Sequence, residues 1–143
     1  MATKKEGLER LSNVPMFSEL SKRDLGRLWD RMKVIEHEDG RTVIAKGRSG
    51  IAFHVVLEGT AKVSRPGKSV TLGPGDFFGE ISLIDNGPRT ADVKADGPLV
   101  TAALSPSEFK SVAKQQPDMM WKMLEFLTAR LREEQSALAN MTA

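Results

Sequence analysis

Glu80 stands nine residues ahead of Arg89 in the run Phe77-Phe78-Gly79-Glu80-Ile81-Ser82-Leu83-Ile84-Asp85-Asn86-Gly87-Pro88-Arg89-Thr90-Ala91. Gly79 would sit at the mouth of a short helix, where free backbone N–H groups and a positive dipole end suit a phosphate. Arginine brings a fixed fork of donors for phosphate oxygens, and a glutamate accepts hydrogen bonds from sugar hydroxyls. A carboxylate repels a phosphate, so both residues fit one ligand only if its far side carries a hydroxyl. A small cyclic ribose phosphate meets that demand. The plainer reading is a turn at Asn86-Gly87-Pro88 with a surface Arg–Glu ion pair beside it.

These residues need a scaffold, and its elements can be read along the chain. Residues 3–13 carry Leu8 and Leu11 on one helical face. Ser21, with Asp24 three positions on, is a capping arrangement, and Leu25, Leu28, Trp29 and Met32 follow at helical spacing to about residue 32. From Val34 to Leu104 the pattern turns to short β-rich runs: 34–35, 42–44, 53–57, 60–63, 69–72, 91–94 and 99–104. Asp39-Gly40, residues 47–50, Glu58-Gly59, Pro66-Gly67, 73–75 and Gly97-Pro98 punctuate them as turns. Such spacing predicts a β-sandwich or jelly roll. A helical excursion inside it reads as a site rather than scaffold. Ser105-Pro106 then opens a helix through Gln115, and Pro117-Asp118 a longer one to about Asn140, roughly 35 Å at 1.5 Å per residue.

Composition narrows the function classes. The chain of 143 residues is long enough for one core, with 40% hydrophobic and 28% charged residues and a formal net charge of +2. So small a surplus is not a nucleic-acid footprint. There is no cysteine, which excludes disulfides and thiolate metal sites. His37 and His54 form no H-x-H pair, so metal-dependent jelly-roll chemistry lacks its ligands, and no nucleophile–base arrangement is visible. No apolar run reaches membrane-spanning length and no signal core follows Lys4 and Lys5, which places the chain in the cytoplasm.

The order FGEISLIDNGPRTADV resembles the phosphate-binding cassette of cyclic-nucleotide-binding domains, which runs approximately F-G-E-x-x-L and then P-R-[S/T/A]-A. Two further stretches resemble the same family. Residues 47–59, GRSGIAFHVVLEG, look like its strand pair, and Leu72-Gly73-Pro74-Gly75-Asp76 looks like the turn before F-G-E. Lys46, Arg48 and Ile51 depart from positions commonly acidic there and read as surface turn changes. His54 replaces the family's usual aromatic and reads as a packed or surface residue.

The resemblance covers about residues 8–140 and implies an α+β, mainly β fold. It would be an eight-stranded β-roll (jelly roll) with N-terminal helices, a short cassette helix and two C-terminal helices. The chain is then a single domain over residues 1–143: a helical segment 1–33, the roll 34–104 with the cassette 77–91, and helices 105–140. It further implies that Glu80 and Gly79 hold the ribose 2′-hydroxyl, Arg89 pairs with the cyclic phosphate, and Thr90 adds a contact. Phe78, Ile81, Ser82 and Ala91 complete the clamp. Arg130, Leu131, Glu134 and Gln135 of the last helix fall near the purine edge. The implied ligand is cyclic AMP ahead of cyclic GMP, although Glu134 and Thr90 suit either base. No cofactor, metal or catalytic residue is implied.

The last helix carries a second signal. Met120, Leu124, Leu127, Leu131, Glu134, Leu138 and Met141 alternate by four and three, a heptad seam with one charge in it. Met119, Met123 and Phe126 form an adjacent apolar face. One face would hold the domain and the other a partner helix, giving a homodimer through residues 117–140 or contact with an effector protein. A DNA-reading helix-turn-helix would follow that helix in a transcription regulator, and the sequence stops at Ala143, so direct nucleic-acid binding is not expected. The expected function is therefore a bacterial, cytoplasmic cyclic-nucleotide sensor. The alternatives are a regulatory fragment of a larger transcription regulator, channel or kinase, and a ligand-free interaction module of the same fold.

Overall fold

Three side-chain caps start the helices that brace the sheet. Thr3, Ser21 and Ser105 each accept a hydrogen bond from the backbone N–H three residues on, at 3.1–3.2 Å. They open α1 (Lys4–Ser12), α2 (Lys22–Asp30) and α3 (Pro106–Gln115), the last with Pro106 in its first turn. A 3₁₀ turn, Pro15–Phe17, joins α1 to α2, and α4 (Pro117–Thr142) closes the chain. The computed structural model describes residues 3–44, 52–65, 67–79 and 91–142. Residues 45–51, which include the first five of the strand-pair motif, and 80–90 of the cassette, including its expected helix, lie outside the described residues.

The strands are β1 (Lys33–His37), β2 (Thr42–Ile44), β3 (Phe53–Arg65), β4 (Lys68–Leu72), β5 (Phe77–Phe78) and β6 (Asp92–Leu104). All pair antiparallel in one sheet ordered β1-β6-β3-β4, with β2 also on β6 and β5 on β3.

Two expected turns are not turns. Glu58-Gly59 and Gly97-Pro98 lie inside the two 13-residue strands, which run on through them. The register slips there, from Val56↔Thr101 to Glu58↔Val100 and then Thr60↔Asp96, so the ladder is bulged rather than ended. Gly59 and Gly97 have φ of 82° and 81°, a left-handed backbone that lets each strand bend. Each long strand thus serves as two arms of the six-stranded sheet found among the described residues, an arrangement consistent with the expected β-roll.

Bending splits the apolar interior into two cores. The larger gathers Leu11, Phe17, Leu28, Phe109, Met119 and Met123 from the helices onto Phe53, Val55 and Leu104 of the sheet. Phe17 meets Phe53 edge-on at 5.6 Å between ring centroids. The smaller lies within the roll: Val56, Ala61, Phe78, Val93, Ala95 and Leu99, flanked by Val43, Val63 and Leu72. The helices therefore clamp one end of β3 and β6, and the other end is left to curl around the site.

Candidate functional site

The chain reaches the candidate clamp through a hydrogen-bonded turn. In Gly73-Pro74-Gly75-Asp76 the Asp76 carboxylate accepts from the Gly73 N–H at 2.8 Å. Gly75 donates to Val56 O at 2.9 Å, and Val56 donates to Asp76 O at 2.8 Å. Both ties to β3 are backbone bonds; the residue types matter because the Asp76 side chain closes the turn and Gly75 holds φ at 92°. It delivers Phe77 and Phe78 to pair with Val55 and His54. Phe78 is buried, and Gly79 follows at φ 86°, a conformation that favours glycine over any side chain.

Beside this turn lies a cavity of about 250 Å³ lined by Val63, Lys68, Val70, Leu72, Phe77, Phe78 and Gly79. Strand alternation builds its wall. Lys68, Val70 and Leu72 are two apart and share one face of β4, and Val63 lies directly opposite Val70 on β3. Apart from Lys68 the side chains of the wall are apolar and suit a flat ring, and Gly79, from which the cassette motif continues, lies at its edge.

The expected site residues divide three ways. Phe78 and Gly79 line the cavity, and Ala91 is buried where β6 begins. Glu80, Ile81, Ser82, Arg89 and Thr90 lie outside the described residues. Arg130, Glu134 and Gln135 are exposed on α4, as is Leu131, and none of them lines the cavity. The wall residues Val63, Lys68, Val70 and Leu72 went unassigned in the sequence. Their signal was the period-two pattern of β4, which shows that three residues share a face but not what that face meets.

Behind Phe78 lies a polar group that sequence spacing could not assemble. Thr101 is fully buried on β6, and its hydroxyl oxygen is 2.9 Å from His37 Nε2 and 2.9 Å from His54 Nδ1. His54 is buried in turn and stacks on Phe78. Burial holds the His37 imidazole below its usual titration range, and the positive charge of Arg41 adds to that effect. Among the described residues no group of three or more histidine, aspartate or glutamate side chains could hold a metal ion. No helix there is long and apolar enough to cross a membrane.

Helix α4 meets the domain through one face. Met119 and Met123 are buried in the larger core, with Met120, Phe126 and Leu127 partly buried against it. Trp121, Leu124 and Leu131 remain exposed. The expected seam is therefore divided, since Met120 and Leu127 turn toward the domain and Leu124 and Leu131 face away.

Comparison with known proteins accounts for this arrangement. A family model of the cyclic nucleotide-binding domain matches residues 34–116. The cAMP-dependent protein kinase regulatory subunit of Mycosarcoma maydis is 36% identical over 99 residues, 66% of this chain and 19% of that protein. The regulatory subunit of Yarrowia lipolytica is 37% identical over 103 residues, 70% of this chain and 28% of that one. The chain thus spans less than a third of the length of either. Among solved structures, the N-terminal domain of a transcriptional regulator from Streptomyces coelicolor A3(2) superimposes with a TM-score of 0.82 at 28% identity, covering 90% of this chain and 96% of that one.

Proposed function

The chain belongs to the cyclic nucleotide-binding domain family, and from that premise we propose that it is a sensor that binds cyclic AMP in preference to cyclic GMP. Occupancy is passed through α4 to an effector protein or a second copy of the chain. The observation that carries this reading is the largely apolar cavity lined in part by Phe77, Phe78 and Gly79, the first three residues of the cassette. A purine lies along Val63, Val70 and Leu72, the ribose 2′-hydroxyl meets Gly79 and Glu80, and Arg89 with Thr90 takes the phosphate. The preference for adenine follows the two curated relatives, both named as cAMP-dependent. Glu80 and Arg89 act here as a binding pair, with no catalytic step.

An enclosed anion is costly unless paired, and each charge-assisted hydrogen bond contributes about 1.5–3 kcal/mol. Calorimetric titration with each nucleotide is therefore decisive. Arg89→Ala is expected to weaken binding by at least tenfold, and Arg89→Lys by nearly as much because it loses the planar fork. Unchanged affinity in Arg89→Ala removes the cassette assignment. Glu80→Ala is expected to erase selectivity against the 2′-deoxy nucleotide.

Relay through α4 is supported by its two faces, one in the core and one exposed at Trp121, Leu124 and Leu131. A switch requires different ligand affinity in two conformations. Sedimentation with and without nucleotide tests whether the exposed face takes a second copy. A second reading, a regulatory piece working within a longer transcription regulator, is favoured by the match to nearly all of an N-terminal regulator domain. A ligand at 100 times its dissociation constant adds about 2.7 kcal/mol of stability, so a thermal-shift screen separates either reading from a ligand-free interaction module.

A further inference from the structure

The cavity has two unlike ends. At one, β5 pairs with His54 and Val55 on the first arm of β3 and leads into Gly79. At the other, Lys68 opens β4 opposite Arg65, ten residues farther along β3 and beyond its bulge. Between them the lining is Val63, Val70, Leu72 and the two phenylalanines. Lys68 is the one charged side chain among the described residues that line the cavity, and it shares the wall face of Val70 and Leu72.

From this placement we propose that Lys68 reads the edge of the purine base and sets how well the site accepts guanine. The inference rests on the reading that the cavity takes a cyclic purine nucleotide. The phosphate then belongs at the Gly79 end and the base at the Lys68 end. A lysine ammonium has only donors. Guanine offers it two adjacent acceptors, O6 and N7, whereas adenine offers N7 beside an amino group that is itself a donor. Lys68 therefore gains more from guanine and narrows the margin by which cyclic AMP is preferred. The exposed stem of Lys68 lets it swing onto the base after the ligand enters.

The test is competitive titration of cyclic AMP against cyclic GMP on the whole chain, in the wild type, Lys68→Met and Lys68→Arg. Lys68→Met keeps the apolar stem on an exposed position, so folding is unaffected and a thermal melt verifies it. The expected result is a loss of cyclic GMP affinity of about tenfold in Lys68→Met, a loss for cyclic AMP of less than about threefold, and recovery in Lys68→Arg. An equal loss for both nucleotides means that Lys68 serves the shared phosphate, and overturns the inference. So does an unchanged ratio. A wild-type chain that binds neither nucleotide overturns the proposed function itself, which a bound wild type with an unmoved ratio does not.

Discussion

The imidazole of His54 lies stacked on the ring of Phe78, with centroids 4.9 Å apart and planes 13° from parallel. Phe78 precedes Gly79 directly, so the wall of the cavity is backed by a histidine that is itself fixed from behind. A tyrosine or phenylalanine in place of His54 could keep the stack. It could not keep the tie from Nδ1 to the Thr101 hydroxyl, through which β1, β3 and β6 are joined by polar contacts in an otherwise apolar layer.

Replacing Thr101 by valine keeps the shape of this layer and removes the hydroxyl that both rings meet. Buried polar atoms that lose a partner cost about 1–3 kcal/mol each. Thr101→Val is expected to lower stability by roughly that much in urea denaturation, with Thr101→Ser recovering most of it. A valine variant as stable as the wild type would show that the hydroxyl contributes nothing.

The same group predicts a pH dependence. His37 has a lowered native pKa, first through burial and then through Arg41. In the unfolded chain it titrates near 6.5. Between those two values the unfolded chain holds a proton that the native protein refuses, so stability rises with pH there. The contribution is complete above the unfolded value and is lost as pH falls from it through the native one. Urea midpoints across this window should fall more steeply in the wild type than in His37→Gln; equal slopes would contradict the assignment.

Gly59 holds φ at 82°, and a Cβ there would run into the backbone carbonyl oxygen of Pro98. Backbone cannot step aside as a side-chain tip can. Gly59→Ala is therefore expected to cost about 3 kcal/mol or more, from left-handed strain and the clash together. Gly40, also at positive φ but with open space around it, provides the control. Its alanine variant should show only the smaller conformational part, and equal losses would leave the close approach without consequence.

Helix α4 offers a contrast between its faces. Met119→Ala removes a fully buried side chain and should cost about 2–5 kcal/mol. Leu131→Ala, at 57% exposure, should change monomer stability by less than about 0.5 kcal/mol. If α4 is the partner surface, Leu131→Ala weakens association in sedimentation while its concentration-independent stability stays level. A Leu131 variant that unfolds as readily as Met119→Ala would place both residues in one core.

The sequence by itself determined a good deal. Ser21 and Ser105 announced two helices because a cap acts on an N–H three residues away. The order of F-G-E and P-R-T, with the turn before it, carried the family resemblance, because a short motif is legible in the sequence whatever the rest of the chain does. Tertiary structure decided what depends on pairing across long separations. Glu58-Gly59 and Gly97-Pro98 carry the composition of turns, and only the β3–β6 ladder makes them bulges, since a glycine at positive φ serves both. Lys68 became part of a wall because β4 folds back on β3 beside β5. Thr101 joined two histidines 64 and 47 residues away because β6 lies between β1 and β3. A residue's type limits what it can bind, but its partner is set by which strand the chain lays beside it.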